Sequence, residues 1–177
     1  MEELRKPLAK DAQLAIEMVR SWYSPGDHLF TYTGGRLLHD VFPQFTNEFE
    51  AALSKLVRSA CTGDVDFVLS ILRSYEGGQF LHGICKELID VIPEGDERIH
   101  EVEIILDSTG VVSGQFGMVQ AYKNKKGQVQ DWLSDTRPKV RDFAERYQRH
   151  LERAIAAEQR RSETDYELRR RDWPEEE

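Results

Sequence analysis

The sequence predicts an all-α protein in which consecutive antiparallel helices pack through apolar faces. Apolar residues recur at i, i+3, i+4 and i+7 through most of the chain, as in Val65, Val68, Leu69 and Leu72, and this spacing places them on one face of an α-helix. No segment alternates apolar and polar residues over the length of a strand. Only short segments rich in Gly, Pro, Ser and Asp interrupt the pattern, so we expect sequential helices to be antiparallel neighbours.

These interruptions divide the chain into eight predicted helices, at residues 9–23, 34–42, 46–60, 64–75, 79–91, 96–108, 115–133 and 137–171. The segment 24–27, Ser-Pro-Gly-Asp, ends the first helix. Pro43 ends the second and Pro93 the fifth, because proline disfavours the α conformation at the residue before it. Glycine-containing turns precede the fourth, fifth and seventh helices. Asp64 is placed to cap the fourth helix.

Matches between distant segments indicate an internal repeat. Tyr-x-Gly-Gly occurs at residues 32–35 and 75–78, an offset of 43 residues. Gly-Gln-Phe occurs at residues 78–80 and 114–116, an offset of 36 residues. Periods near this length are typical of arrays of stacked helix pairs, because one pair cannot bury its apolar face alone.

The clearest repeat unit is Leu133–Ala144. An apolar residue, Asp135 and Pro138 precede Val140-Arg141 and a small residue on the next helix. This order resembles the pattern of HEAT-repeat proteins. The resemblance implies a short HEAT- or armadillo-like α-solenoid of stacked antiparallel helix pairs. We expect Arg141 to reach an acidic side chain of the neighbouring unit, and an ordinary helical bundle is the alternative fold.

The last predicted helix is long, because residues 139–171 contain neither Pro nor Gly. Asp135 or Thr136 is expected to cap it. Its apolar stripe weakens beyond Ile155, so the sequence predicts an α-helical repeat domain over residues 1–155 and a charged helical extension over 156–177. The extension is expected to end in a frayed acidic tail.

Composition and charge exclude several classes of protein. The chain has 177 residues with 24 basic and 32 acidic side chains, a formal net charge of −8, which argues against a dedicated nucleic-acid binder. No apolar run approaches the ~18 residues of a membrane span, and the N-terminus lacks the pattern of a signal peptide. Two cysteines cannot form a disulfide scaffold. We therefore expect a cytoplasmic protein with no membrane partner.

The charge is unevenly distributed, and its most basic stretch is a candidate interaction surface. Residues 1–122 carry a net charge of −9, residues 123–149 carry +4 and residues 150–177 carry −3. The side chains that could form a basic patch near one turn are Lys123, Lys125, Lys126, Arg137 and Lys139. Such a patch would bind an acidic protein or phosphates; the alternative is a solvated face paired with acidic side chains. Trp173 is a further candidate anchor, since a polar tail has little structural use for it.

The sequence shows no pattern of catalytic or metal-binding residues. No two histidines have the i, i+4 spacing of a helical metal pair, and the motifs of phosphate-binding loops and nucleophile elbows do not occur. His39 and His82 follow the two Tyr-x-Gly-Gly segments at equivalent positions, which favours a structural role. Cys61 and Cys85 lie on apolar helix faces and are expected to be buried. The sequence therefore predicts no metal and no cofactor.

Together these features predict a non-catalytic helical-repeat module that binds another protein as a scaffold, adaptor or regulator. The chain loosely resembles C-terminal helical regions of large bacterial multidomain proteins, including some of the NTPase type associated with phage defence. One alternative is an acidic inhibitor, such as an immunity protein that binds a basic nuclease toxin. A second is an enzyme whose residues meet from distant helices in a deep pocket, and a third is a nucleic-acid binder using the basic patch. A homo-oligomer is compatible with the open end of a helical array.

Overall fold

Every regular element in the computed structural model is helical within the described residues, which are 11–24, 31–59 and 61–172. These ranges hold eight α-helices: α1 (Ala12–Trp22), α2 (Arg36–Val41), α3 (Asn47–Arg58), α4 (Thr62–Leu72), α5 (His82–Val91), α6 (Arg98–Asp107), α7 (Gly117–Gln128) and α8 (Pro138–Asp172). A π-helical turn (Thr31–Gly35) precedes α2, and 3₁₀ segments (Gln79–Leu81 and Gln130–Ser134) precede α5 and α8. The prediction of an all-α protein is confirmed.

The observed helices differ from the predicted ones at their ends, for local reasons. The predicted helix 115–133 ends at Gln128, where the chain tightens into the 3₁₀ segment. The prediction that Asp64 caps the fourth helix is wrong, because α4 begins two residues earlier at Thr62. The Asp64 carboxylate instead accepts hydrogen bonds from Arg20 Nε at 2.8 Å and Ser59 Oγ at 2.9 Å.

The chain divides into two compact units, unit 1 (Met1–Ser108) and unit 2 (Thr109–Glu177). The predicted boundary between residues 155 and 156 lies inside α8, which is continuous through that point. The division into a repeat domain and a charged extension stays a prediction, as does the HEAT-like solenoid. None of the described helices combines the length and apolar composition that a membrane span requires.

In unit 1, α4 is enclosed by its neighbours on nearly every side. Val65 and all residues from Phe67 to Leu72 are buried, as expected of a helix without a solvent face. α4 packs against α2, α3, α6 and the π-helical turn, and α3 packs also against α1 and α5. The surrounding helices contribute the buried side chains Ile16, Val19, Phe49, Leu53, Val57, Ile84, Leu88, Val102 and Ile105.

Gly77 lets the chain pass directly over the end of α6. A Cβ at this position would lie under 3.0 Å from the backbone oxygens of Ile105 and Leu106. The Gly77 N–H also donates to the carbonyl of Ser108 at 3.1 Å. Only a residue without a side chain fits this approach.

The two Tyr-x-Gly-Gly segments have different backbone conformations. Gly35 is helical, with φ −61° and ψ −45°, and a Cβ there would lie 2.7 Å from Ser74 Oγ. The corresponding Gly78 is extended, with φ −88° and ψ 170°. This sequence match therefore does not extend to local structure.

Unit 2 is an antiparallel hairpin of α7 and α8, with a 3₁₀ segment at the turn. Side-chain contacts join earlier residues of the α7 arm to later residues of α8: Gln130 to Gln148, Lys126 to Glu152, and Gln115 to Ser162. The buried apolar side chains of the hairpin are Val119, Val129, Trp132, Val140, Phe143, Ala144, Tyr147 and Leu151. The apolar stripe predicted for the last helix is thus the face that packs against α7.

The Gly-Gln-Phe match extends to local structure only in part: the leading glycines differ, with φ −88° at Gly78 and +87° at Gly114, but the turns share a hydrogen bond. In each copy a hydrogen bond closes the turn from the N–H of the residue after Phe to the carbonyl of Gly, from Leu81 to Gly78 at 3.0 Å and from Gly117 to Gly114 at 3.1 Å. The two phenylalanines also have the same exposure, 46% for Phe80 and 47% for Phe116. One copy leads into α5 and the other into α7.

A second local feature occurs both at the start of α6 and just before α8. The Asp96 Oδ1 atom accepts the Arg98 backbone N–H at 3.0 Å and Nε at 2.9 Å, while Arg98 Nη2 binds the other oxygen. Asp135 and Arg137 make the same three bonds, at 3.0, 2.9 and 2.9 Å. We call this arrangement the Asp-x-Arg clasp. It fixes the chain at the first residue of α6 and just before α8. Asp135, which the sequence predicts as one of two possible caps of the last helix, binds the N–H of Arg137, the residue before α8.

Arg141 makes its contacts within its own turn. Its Nη1 donates to the carbonyls of Asp135 at 2.7 Å and Thr136 at 3.1 Å. The prediction that Arg141 reaches an acidic side chain of a neighbouring unit is therefore wrong, because the open carbonyls of the turn before α8 lie closer to it.

Gly77→Ala is expected to lower the free energy of unfolding by about 2 kcal/mol or more, because the added Cβ collides with rigid backbone. Gly127→Ala is the matched control: nothing lies within 4 Å of a Cβ there, and Ala raises helix propensity by up to about 1 kcal/mol. Urea denaturation followed by circular dichroism compares the two variants. Equal midpoints for Gly77→Ala and the wild type would show that the approach to α6 is not tight.

The clasp makes stability depend on pH. Hydrogen bonds from Arg98 hold the pKa of the Asp96 carboxyl at about 2, below its ordinary value of 3.8. Because the folded-state pKa is the lower one, the clasp stabilises fully above pH 3.8 and loses its contribution as pH falls toward 2. We expect Asp96→Asn to lower stability near neutral pH and to flatten its acid dependence. Urea midpoints at about pH 6, 4 and 2.5 test this, and parallel curves would contradict it.

Candidate interaction groove

An open groove of about 570 Å³ lies along one side of the α7–α8 hairpin in unit 2. One wall comes from α7 and the 3₁₀ segment, and the other from α8. On each wall the residues follow i, i+3, i+4, i+7 spacing, which aligns them along one edge of a helix. The lining residues are Lys123, Lys126, Gly127 and Gln130 on the first wall, and Glu152, Ile155, Ala156 and Gln159 on the second. We call this feature the α7–α8 groove.

Most of the lining surface is apolar, and its central side chains are small. Gly127 and Ala156 are on opposite walls, and nothing lies within 4 Å of the position that a Cβ would take at Gly127. Ile155 adds a half-buried aliphatic side chain. The groove therefore offers apolar contact close to the helix backbones.

The charged residues of the groove are Lys123, Lys126 and Glu152. Lys126 Nζ lies 2.6 Å from Glu152 Oε1. This hydrogen bond, followed by the charges of Lys126 and Arg149, holds the pKa of Glu152 below its ordinary value, so the carboxylate stays ionised and is poorly suited to accept protons near neutral pH. Lys123 is exposed and has no ion-pair partner among the described residues.

The basic patch predicted from the sequence is partly represented in the groove. Lys123 and Lys126 line it, one on the rim and one in the ion pair with α8. Lys125 is only 8% exposed and lies among the buried residues of α7. Two of the three α7 lysines therefore line the groove, and one of them, Lys126, is paired with Glu152.

The other predicted interaction residues lie elsewhere. Arg137 is held by Asp135 in the Asp-x-Arg clasp. Lys139 precedes Glu152 by 13 residues on α8, about 20 Å along the helix axis. Trp173 lies outside the described residues. A role for any of them in binding stays a prediction.

The α8 wall is missing from the set predicted on the basis of charge. Only one of its four residues, Glu152, is charged, so a cluster of basic residues does not indicate this wall. The pattern that could have found it is the spacing of residues 152, 155, 156 and 159 on a face of α8 next to the main apolar stripe. Which α7 residues face that line depends on the register of the hairpin.

Unit 1 carries an aromatic cluster whose edge reaches the surface. Phe42 stacks on Phe49 with ring centroids 4.7 Å apart, and both rings are buried. Phe45 contacts Phe49 and Tyr75 edge-on, each at 5.3 Å. The exposed Phe80 of the first Gly-Gln-Phe turn lies 5.8 Å from Phe45, so these two rings form the accessible rim of the cluster.

Tyr75 anchors this cluster by a buried hydrogen bond. Its hydroxyl donates to the carbonyl of Phe42 at 2.9 Å, and burial raises the pKa of Tyr75 far above its ordinary value. The ring of His39 packs edge-on against Tyr75 at 4.9 Å. This half-buried histidine therefore takes part in packing the cluster.

The two cysteines differ in exposure. Cys85 is buried, as predicted, and burial together with the charge of Glu50 raises the pKa of its thiol to about 12. Cys61 is exposed, so the prediction that it is buried is wrong. The reason is that α4 begins at Thr62 and leaves Cys61 as the residue before the helix.

Glu50 caps the start of α5 from a neighbouring helix. Its carboxylate accepts the backbone N–H of Ile84 and lies where a Cβ on Gly83 would collide with it. Burial, followed by the charge of Glu87, raises the pKa of Glu50, while Glu87 itself is bound by Arg58 at 2.6 Å. This arrangement satisfies a free N–H group of the first turn of α5, which is a structural role.

Known proteins offer no guide to the function of these surfaces. No protein-family model, no curated protein and no solved structure matches the chain. Among residues 11–24, 31–59 and 61–172, no group of three or more His, Cys, Asp or Glu side chains is arranged to hold a metal ion. The function must therefore be inferred from geometry.

Tyr75→Phe is expected to lower the free energy of unfolding by about 1–2 kcal/mol, because it removes the buried hydrogen bond to Phe42 without changing the packed ring. Tyr166→Phe is the control, since Tyr166 on α8 is 54% exposed. Urea denaturation of both variants measures the difference. A Tyr75 variant as stable as the Tyr166 variant would show that the hydroxyl contributes nothing.

Proposed function

We propose that the chain is a non-catalytic protein-interaction module, acting as a scaffold, adaptor or regulator, and that the α7–α8 groove binds its partner. The observation that carries this proposal is the open, mainly apolar groove on a hairpin whose own helices are already packed. Grooves of this kind between helices are used to bind amphipathic segments of other proteins.

The chemistry of the groove favours binding over catalysis. Its one carboxylate, Glu152, is paired with Lys126 and has a lowered pKa, whereas a general base is tuned toward the working pH. The uncharged polar side chains of the groove, Gln130 and Gln159, donate and accept hydrogen bonds but do not titrate. Such groups orient a ligand without reacting with it.

The recurring local features support the proposal that the chain is a divergent helical-repeat protein. Gly-Gln-Phe turn, helix, Asp-x-Arg clasp and helix follow one another in α5–α6 and again in α7–α8. Repeat proteins use such helix pairs as units of a binding scaffold. The HEAT-like solenoid, the cytoplasmic location and the link to bacterial defence proteins remain parts of the proposal.

An acidic inhibitor of a basic partner is the second candidate. Its support is the net charge of −9 over residues 1–122 and the exposed pair Glu94 and Glu97 before α6, which have no partner among the described residues. Other carboxylates of unit 1 are bound internally, as in the pairs Asp64–Arg20, Glu87–Arg58 and Glu101–Arg73. These pairs neutralise part of the acidic charge of unit 1.

Site-specific photo-crosslinking in the source cells tests the two candidates. A benzophenone amino acid at Gln159 lies in the groove, and the same group at the exposed Ala157 provides the matched control. We expect Gln159, but not Ala157, to capture a discrete protein. A third position at Glu97 tests the inhibitor, which predicts capture of a basic protein there. Equal labelling at Gln159 and Ala157 would refute binding at the groove.

A further inference from the structure

We infer that the α7–α8 groove takes an acidic amphipathic helix of its partner, laid between α7 and α8 as a third helix. This inference rests on the proposed function of the groove as a protein-binding site. It adds the secondary structure and the charge of the bound segment, and each follows from a separate feature of the groove.

The form of the groove fits a helix. Both walls are helix edges with the same i, i+3, i+4, i+7 spacing, and the contacts from Gln130–Gln148 to Lys126–Glu152 show that they are antiparallel. The α8 wall extends over residues 152–159, two turns or about 10 Å. A segment lying along this line contacts both walls through side chains spaced three and four residues apart, which is the spacing of an amphipathic helix.

The centre of the groove allows a close helix axis. Helices pack 8–10 Å apart depending on the side chains at the contact, and here those residues are Gly127 and Ala156. No atom lies within 4 Å of a Cβ position at Gly127. With Ile155 beside them, the small residues call for an apolar stripe on the bound helix.

The charges on the rim select acidic flanks. The charge of Lys126 is neutralised by Glu152, whose Oε1 lies 2.6 Å from Lys126 Nζ. Lys123 has no ion-pair partner among the described residues, so its positive charge faces a ligand of the groove. Arg149, exposed and one turn before Glu152 on α8, adds a second positive charge on that side. A helix with Glu or Asp beside its apolar stripe complements these charges, whereas Lys or Arg there would meet like charge.

Synthetic amphipathic peptides provide the test with the full chain. Three labelled peptides of about four turns share one leucine stripe and carry Glu, Gln or Lys on its flanks. Fluorescence anisotropy measures the Kd of each. We expect the Glu peptide to bind about tenfold or more tightly than the Lys peptide, with the Gln peptide between them. A Glu peptide with a central proline pair should lose binding, because proline breaks the helix.

Two variants locate the binding and separate charge from shape. Lys123→Glu changes an exposed side chain and should reverse the preference between the Glu and Lys peptides. Ala156→Trp fills the groove and should weaken the Glu peptide about tenfold or more, while Ala157→Trp, one residue away and outside the groove, leaves its Kd within about twofold. Circular dichroism confirms that each variant folds.

Several results would overturn the inference: equal affinity for the Glu and Lys peptides, an unchanged Kd in Ala156→Trp, or tighter binding of a single-stranded oligonucleotide than of the Glu peptide. Capture of a protein by crosslinking at Gln159 together with failure of the Glu peptide would reject the acidic helix and retain the groove as a protein-binding site. Failure of both experiments would reject the groove itself.

Discussion

Unit 1 depends on one constraint: α4 is apolar on almost every face and cannot lie at a surface. From Phe67 to Leu72 each residue is buried, so the free energy of exposing this helix to water forces other elements to surround it. α2, α3, α6 and the π-helical turn meet that requirement. Glycines of the two Tyr-x-Gly-Gly segments allow close approaches within this unit, of Gly35 to Ser74 and of Gly77 to the end of α6.

Unit 2 meets the hydrophobic requirement in a different way. Its α8 has 35 residues and its α7 only 12, so one short helix covers part of one long helix. The apolar part of the packed face of α8 extends from Val140 to Leu151. Farther along the helix, the buried Ser162 makes two hydrogen bonds with Gln115. Among the described residues of unit 2, no further helix packs on the neighbouring line of α8 residues, and this line forms one wall of the α7–α8 groove. The groove is thus a consequence of a hairpin with two helices where a bundle would have three.

Much of the fold follows from local sequence, whereas the groove does not. Apolar periodicity and the Pro and Gly interruptions located all eight helices, because burial of one face dictates the spacing within each helix. Features set by competing local contacts were predicted wrongly. Because α4 starts at Thr62, Cys61 is exposed and Asp64 binds Arg20 instead of capping the helix. Arg141 binds the carbonyls of its own turn. Lys123 and Lys126 were identified by charge, but Gly127 and Ala156 carry no charge, and the register that brings them together joins residues 29 positions apart.

The Asp-x-Arg clasp has a consequence for how the chain can vary. Its three hydrogen bonds all lie within three consecutive residues, so the start of α6 or α8 is specified by the segment itself and not by the distance from the preceding helix. The two Gly-Gln-Phe turns are 36 residues apart, whereas the two clasps are 39 residues apart. The segment from turn to clasp is therefore three residues longer in the second copy, which contains the 3₁₀ segment Gln130–Ser134. The clasp is a local structure that is independent of the length of the preceding connection: its Arg is the first residue of α6 in one copy and the residue before α8 in the other. Insertions ahead of it can therefore accumulate as changes in loop shape while the register of the following helix is kept.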